Sequence, residues 1–478
     1  MSTTEQSPRP LPPHPAPPDS YRPGTAITTW NPEDAAFWER SGKRVAARNL
    51  WLSTPTLLLA FVVWQVWSVT VTELNDAGFH LSTSQTMWLT AIPGLTGGTA
   101  RAAYTFMGPI VGNRRFTVLS TVVLVLPLTW LGFAVRDSST PYWELCLIAA
   151  VSGIAGGNFA SSMANIGFFY PKAKKGYANG INAGLSNLGV CVVQLLVPIV
   201  TTWGFLAPVL GGGQTGPDGT TIWLQNAAFI WIPLLLAMSA LCWFGMNDLK
   251  VSATPFARQK IIFRRKHNWL MTLLYVGTFG SFIGFAAALP NLINSTWTPL
   301  DPGHTAAAYA WTGPFIGAAT RPFGGWISDR LGGARVTLLS FLGMGTSLVL
   351  VITAMPEDGA GGNWWQFYLG FLAAFLFAGL GCGSTFRQIP VIFTNKHLAV
   401  AAGRGEAALE RARRQAAVES SAVTGFSSAV AAYGFFLVPA MFALFSVTGA
   451  LWGFIGLYAV CLVVCHHFYA RKGAEAPS

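Results

Sequence analysis

Twelve long apolar runs divide this sequence, and each is long enough to cross a lipid bilayer as a helix. A helix needs about 20 predominantly apolar residues to span roughly 30 Å of hydrocarbon. Of the 478 residues, 52% are hydrophobic and only 10% are charged, against about a quarter charged in a soluble domain. The pattern predicts an all-α membrane protein. Its spans lie near residues 51–73, 86–111, 115–135, 141–168, 177–209, 224–246, 268–293, 305–328, 336–355, 364–392, 418–445 and 447–470.

The basic residues predict how these spans are oriented. Nearly all of the 30 Lys and Arg residues lie on one side of a twelve-span arrangement, whereas the loops on the opposite side carry only Arg136. The positive-inside rule therefore predicts that both termini are cytoplasmic. The formal net charge of +11 follows from this topology, so we expect no nucleic-acid partner. The six cysteines lie in or at the ends of spans without a metal-ligand pattern, and we expect no metal or cofactor.

The spans fall into two sets of six around a polar middle loop. Three residue types recur 220 positions apart, as Arg101, Gly112 and Arg115 in the first set and Arg321, Gly332 and Arg335 in the second. Such an offset is typical of parallel half-repeats in a transporter. We therefore predict a cytoplasmic tail (1–49), a first six-helix half (50–246), a middle loop (247–267), a second half (268–470) and a short cytoplasmic tail (471–478).

Three polar segments outside the spans have recognisable composition. The proline-dense stretch 8–23 is typical of a disordered tail. Asn31-Pro32 followed by acidic residues predicts a short helix over 32–48 along the membrane surface. Residues 396–419, which alternate Ala with Arg and Glu, predict a surface helix with local charge pairs.

Two arginines lie where a charge is costly. Arg101 and Arg321 are about fifteen residues into their spans, on the order of 20 Å along a helix, whereas Arg387 is close enough to a span end to snorkel. None of the 19 acidic residues falls in the middle of a span, so structural ion pairs lack partners, although helix-end carbonyls remain an alternative. An intramembrane arginine marks a functional site by default. We expect both guanidinium groups to face a central cavity and bind an anion.

Aromatic and amide side chains near the arginines indicate the shape of that anion. Phe61, Phe159, Tyr275 and Phe279 lie towards the middle of spans one, four and seven. Planar guanidinium groups bind planar oxyanions through parallel hydrogen bonds, and flat rings suit a flat, delocalised anion, although any single ring can equally be packing. Asn187 and the Tyr275 hydroxyl supply further donors.

The fifth span has a distinctive pattern, Gly180-x-Asn182-x-Gly184-x-x-Asn187-x-Gly189, in which glycines expose a strip of backbone for close approach. This span, together with Gly156–Asn165, Tyr275–Phe285, Arg321–Arg335 and Gly379–Phe386, resembles the bacterial nitrate/nitrite porters of the major facilitator superfamily. The resemblance covers the chain from about Trp30 and implies the major facilitator fold. It departs at span eleven, where alanine and Tyr433 occupy positions at which the family often has glycine.

The resemblance also implies roles for individual residues. Arg101 and Arg321 would clamp nitrate or nitrite, and Phe159 and Phe279 would sandwich it. Asn187 and Tyr275 would hydrogen-bond the anion, and Phe61 would close the pocket. Further glycines, at the start of span five, would let that span bend or slide between states; these conformational residues are Gly176, Gly180 and Gly184.

Several functions remain open at the level of sequence. The resemblance implies a nitrate and nitrite carrier in the bacterial inner membrane, and we expect it to be a monomer. The absence of a mid-span carboxylate favours nitrate/nitrite antiport over proton coupling, because proton-coupled carriers generally use intramembrane acids or histidines. Nitrate/proton symport is the main alternative, since a proton can also travel through water. An anion channel would lack a reason for half-repeats, and an enzyme would lack a nucleophile with its base. A sugar or drug carrier would not need two unpaired arginines.

Overall fold

A computed structural model describes residues 21–204, 207–216, 219–250, 260–356 and 361–478, and nearly all of its regular structure is helical. A helix occurs at each of the twelve predicted spans. We name them in chain order: α1 Ala35–Thr70, α2 Thr83–Val111, α3 Asn113–Ala134, α4 Tyr142–Phe169, α5 Lys172–Val200, α6 Asn226–Gly245, α7 Lys266–Thr296, α8 Thr312–Leu331, α9 Gly333–Ala354, α10 Trp364–Ala401, α11 Glu406–Leu444 and α12 Val447–Ala470.

Ten of these helices, within the described residues, are long and apolar enough to cross a membrane. The other two are α2 and α8, which carry Arg101 and Arg321. The charged guanidinium groups, together with the glycine and threonine residues around them, lower the mean hydropathy of these two helices. The helices that depart from the apolar pattern are thus the two that the sequence singles out for a function.

Two predicted surface helices are continuous with spans. The helix predicted over 32–48 begins at Ala35, after Asp34 accepts hydrogen bonds from the backbone of Ala36 and Phe37 at 2.9 and 3.3 Å, and it continues into the first span. The segment 396–419 is divided between the end of α10 and the start of α11. Its predicted charge pairs include Arg414 with Glu410 at 3.1 Å. Most of the predicted proline-rich tail lies outside the described residues.

The loops that carry most basic residues lie at one end of the bundle, which we call the basic face, and we call the other end the opposite face. On the basic face, strand β1 (Ala26–Ile27) pairs in parallel with β4 (Asp248–Leu249), while β2 (Gln214–Thr215) and β3 (Thr221–Ile222) form an antiparallel hairpin on the opposite face.

Asp248 accepts a hydrogen bond from the Arg114 backbone at 2.7 Å, beside Gly112 at φ 99°. Asp248 therefore supplies an anionic cap to the start of α3.

We call helices α1–α6 the N-terminal group and helices α7–α12 the C-terminal group; their division into two halves stays a prediction. The two groups meet closely where glycine lets backbones approach: Gly94 of α2 lies against Phe435 and Phe436, and Gly434 of α11 lies against Gly280 of α7. Asn291 Nδ2 also donates to Thr86 Oγ1 at 2.8 Å near the opposite face. Among the described residues, every hydrogen bond between the groups lies at the level of the two arginines or towards the opposite face.

Candidate functional site

Arg101 is fully buried and bonded to both groups of helices. Its Nε donates to the Gly156 carbonyl of α4 at 2.9 Å. Its Nη1 donates to the backbone carbonyl and the hydroxyl of Ser428 on α11 at 3.2 and 3.1 Å. The remaining nitrogen, Nη2, is buried without a hydrogen-bond partner. Two of the three guanidinium nitrogens are therefore fixed, and one is left to bind something else.

Arg321 is arranged in a similar way from the C-terminal group. It is 8% exposed, and its Nη2 donates to the Tyr275 hydroxyl at 2.8 Å. Its Nη1 is buried without a partner. No carboxylate among the described residues forms a salt bridge with either arginine. The expectation that these charges lack acidic partners thus holds for the described part of the chain.

Three aromatic rings lie in a row between the arginines. The Phe279 ring stacks on Tyr275 with centroids 5.4 Å apart and an angle of 9°, and it faces Phe159 at 6.5 Å and 25°. The guanidinium carbons of Arg101 and Arg321 lie 5.4 and 5.5 Å from the Phe279 centroid. Phe279 is therefore shared by the two cations, and cation–π attraction partly compensates their burial.

Phe61 covers the far side of this row. Its ring meets Phe159 edge-on, with centroids 6.1 Å apart and an angle of 80°. Phe61 is buried, and Gly189 of α5 packs against its Cβ. Direct contacts thus join six of the seven predicted binding residues, with Phe61 at the edge of the set. The seventh, Asn187, is buried in α5 without a hydrogen bond to any of them.

Asn187 and Asn182 of α5 have different surroundings, although both are buried. Asn182 accepts from Thr54 Oγ1 at 3.2 Å and donates to Ser162 Oγ at 2.8 Å, so its amide joins α1, α4 and α5. Both amide atoms of Asn187, in contrast, lack a hydrogen-bond partner. A buried polar group without a partner is costly. The protein itself therefore satisfies the amide of Asn182 but not that of Asn187, whose predicted role in binding stays a prediction.

The backbone departs from α-helical geometry close to Phe159 and at Phe279. Residues Ile154–Gly157 form a 3-10 turn within α4, just before Phe159, and residues Val276–Gly280 form a π segment within α7 that contains Phe279. The 3-10 turn includes Gly156, whose carbonyl binds Arg101. Single-turn π segments inside helices occur frequently at functional sites. These local distortions orient the side chains and carbonyls of the site.

The three predicted conformational glycines lie along the part of α5 nearest the basic face. A Cβ added at Gly176 or Gly180 would meet no atom within 4 Å, and one at Gly184 would meet only Pro322 of α8 at 3.9 Å. The face of α5 that carries these glycines is thus loosely packed in this conformation. Their predicted role in bending or sliding stays a prediction.

Three contacts of the arginines were not anticipated from the sequence. The Trp64 ring lies 4.8 Å from the Arg101 guanidinium carbon, and the Phe386 ring lies 5.7 Å from that of Arg321. Trp64 follows Phe61 by three residues, a spacing that places both on one face of α1. Ser428 had no such signal, because its contact with Arg101 joins residues 327 positions apart.

Arg387, predicted to snorkel, pairs with Asp329 at 2.8 Å.

The fold and the paired arginines define a membrane carrier, and comparisons with known proteins agree. The sequence profile of the Major Facilitator Superfamily matches residues 54–402. A bacterial homologue of the human lysosomal transporter Spinster, solved as a crystal structure, superposes with a TM-score of 0.55 at 14% identity, covering 87% of this chain and 97% of that one. The chain belongs to the Major Facilitator Superfamily.

Closer relatives narrow the family. The nitrate/nitrite transporter NarU of Salmonella typhimurium is 45% identical over 93% of this chain and 96% of its own length. The probable nitrate/nitrite antiporter NarK2 of Thermus thermophilus is 39% identical over 95% of this chain and 98% of its own. Within the superfamily the chain is thus a member of the NarK-like nitrate/nitrite porters, which are transporters rather than enzymes.

Proposed function

We propose that this protein carries nitrate and nitrite across the bacterial cytoplasmic membrane by alternating access, exchanging one anion for the other. The observation that carries the proposal is the pair of buried arginines, one from each group of helices, each with one unpartnered nitrogen. A monoanion between them would accept hydrogen bonds from the unpartnered nitrogen of each arginine. It would also offset two positive charges that have no carboxylate partner in the described part of the chain.

The rings favour a planar anion of small thickness. Two van der Waals contacts of about 3.5 Å each require about 7 Å between flanking rings, slightly more than the 6.5 Å between the Phe159 and Phe279 centroids. A flat ion enters after the rings separate by roughly 0.5 Å, whereas a tetrahedral oxyanion needs a larger displacement. Asn187, with both amide atoms free, and the Tyr275 hydroxyl contribute the remaining hydrogen bonds to nitrate or nitrite.

Alternating access follows from the position of the site between the two groups. In the proposal, residues 50–246 and 268–470 act as the two rocking units, the basic face is cytoplasmic, and a monomer suffices because one chain supplies both arginines. Contacts between the groups on the opposite side and open space beside Gly176 and Gly180 of α5 are what a conformation closed to the outside would have. The α5 glycines then close against α8 when the protein turns outward.

The coupling mode rests on electrostatics. Two cations in a site of low polarity repel each other when the site closes without an anion, and a bound nitrate or nitrite relieves that repulsion. Return of the carrier therefore requires an anion, which makes exchange the favoured mode over nitrate/proton symport. Within the described residues, no acidic side chain or histidine is bonded to the arginines to serve as a proton relay.

Reconstituted vesicles containing a pH-sensitive dye test the coupling. Exchange predicts that nitrate uptake requires nitrate or nitrite inside and leaves the internal pH unchanged. Acidification of the lumen on adding external nitrate, with no anion inside, would replace exchange by proton symport.

A further inference from the structure

A proline in α7 leaves one backbone carbonyl without its helical partner. In an α-helix the N–H of each residue bonds the carbonyl four residues earlier, and Pro290 has no N–H. The bond that the residue at position 290 would donate to the Ala286 carbonyl is therefore missing from α7. The carbonyl is satisfied from the other group of helices, because Gln194 Nε2 of α5 donates to it at 2.6 Å.

A second glutamine bonds the same helix one turn closer to the site. Gln65 Nε2 of α1 donates to the Ile283 carbonyl at 3.5 Å, and Gln194 Nε2 also lies 3.3 Å from Ser68 Oγ of α1. Ile283 follows Phe279 by four residues, which is about 6 Å along a helix. The two glutamines thus lie directly above the aromatic row, on the side of the opposite face.

These amides are bonded only in part. Gln65 and Gln194 are both buried, and the Oε1 atom of each lacks a hydrogen-bond partner. The closed arrangement therefore gains bonds between the groups but leaves two acceptors unsatisfied, whereas opening to water would satisfy all of these atoms. Because the closed arrangement is only slightly more stable than the open one, these contacts can break in each transport cycle. Because both side chains are neutral, the closure also adds no charge that would compete with the arginines for the anion.

We propose that Gln194, supported by Gln65, is a positioning residue that holds the outer side of the anion site closed by bonding the carbonyl freed by Pro290. The inference rests on the proposed alternating access and adds the contact that opposes outward opening. It makes a specific claim about cause. Gln194 matters because Pro290 leaves Ala286 unpartnered, so restoring the helical bond should make Gln194 dispensable.

Hydrogen–deuterium exchange of the purified full-length protein, without nitrate or nitrite, tests this claim. Gln194→Met keeps the side-chain volume but removes the donor, and Gln194→Leu is a second variant should the first fold poorly. We expect the outward-open fraction to rise about tenfold, the change that corresponds to 1.4 kcal/mol. Peptides covering 281–296 should then exchange faster, and peptides covering 172–185 should exchange more slowly. Opposite changes at the two faces distinguish a shifted conformational equilibrium from general loosening.

Two further variants complete the design. Gln194→Met combined with Pro290→Ala should exchange like the parent, because alanine restores the N–H that bonds Ala286. Gln388→Leu is the matched control, since Gln388 is a buried glutamine bonded to Thr337 within the C-terminal group, and it should leave the balance between the faces unchanged. Faster exchange at both faces, no change, or failure of Pro290→Ala to reverse the effect would each overturn the proposal. Because no anion is present, such a failure would leave the proposed nitrate/nitrite transport untouched.

Discussion

Replacing Arg101 with lysine should weaken nitrate binding about 10- to 100-fold without unfolding the protein. In the structure, Nε holds Gly156 and Nη1 holds Ser428, so that Nη2 is left for the anion. Lysine keeps the charge but has a single nitrogen on a flexible stem. It cannot bond Gly156, Ser428 and an anion from three fixed positions, and at least one charge-assisted hydrogen bond is lost.

The expected loss of nitrate affinity follows from the free energy of the lost hydrogen bond. Hydrogen bonds to charged groups contribute about 1.5–3 kcal/mol, and each 1.4 kcal/mol changes a dissociation constant tenfold. Isothermal titration of the detergent-solubilised protein with nitrate measures the change. Arg387→Lys is the matched control, because Arg387 pairs with Asp329 away from the site, and its nitrate affinity should stay within a factor of about two of the parent, under 0.5 kcal/mol. An unchanged affinity for Arg101→Lys would refute the assigned role of the guanidinium fork.

Four further substitutions separate binding from stability. Ser428→Ala should weaken nitrate binding only about 3- to 10-fold in the same titration. It removes a charge-assisted hydrogen bond of about 1.5–3 kcal/mol that positions Arg101, but the Ser428 carbonyl still holds the same nitrogen, so only part of that loss reaches the anion. Asn187→Ala should lower nitrate affinity with little change in melting temperature, since its amide has no protein partner. Asn182→Ala should lower the melting temperature by several degrees, because its bonds to Thr54 and Ser162 join three helices; the opposite ranking of these two asparagines in thermal unfolding would contradict the assignment. Glu419→Gln should also lower the melting temperature while nitrate affinity is retained. The substitution removes the charge from a buried carboxylate on the basic face that accepts two hydrogen bonds from Arg265, each at 2.9 Å.

The fold was largely predictable from hydropathy and charge. A helix lies at each of the twelve predicted spans, because a bilayer imposes about one length on every span. Within the described residues, however, only ten of these helices are apolar enough to be identified as membrane spans by themselves. The predicted surface helices were not separate elements, since no signal in composition marks where a surface helix ends and a collinear span begins. The helix predicted from residue 32 begins three residues later, at Ala35, where Asp34 caps the backbone. Such a shift is within the usual uncertainty of helix boundaries.

The sequence predicted those site residues whose type is rare within a membrane span, and it did not predict those whose type is common there. Arg101 and Arg321 stood out because charges are rare within spans. Ser428 did not, since serine is common in helices and its contact is long-range. Likewise the sequence pattern treats Asn182 and Asn187 alike, and only packing decides which amide is satisfied. The π segment containing Phe279 has no reliable sequence signal, because it arises from how α7 packs.

The structure shows which contacts Tyr433 and Gly434 make in span eleven, where the chain departs from the resemblance. Tyr433, at which span eleven departs from the resemblance, shares a hydrogen bond with Thr99 of α2 at 2.9 Å. Gly434 remains a glycine at the point of closest approach to Gly280. The close contact between α7 and α11 is therefore kept, and the bulkier residue adds a hydrogen bond between the two groups of helices.

The most direct test of the account is counterflow of labelled nitrite into proteoliposomes loaded with nitrate. We predict strong stimulation of uptake by internal nitrate in the parent protein, lost in both Arg101→Lys and Arg321→Lys. Such a result would place the exchanged anion between the two guanidinium groups. Full counterflow in either lysine variant, or uptake that follows an imposed pH gradient and ignores internal nitrate, would contradict it.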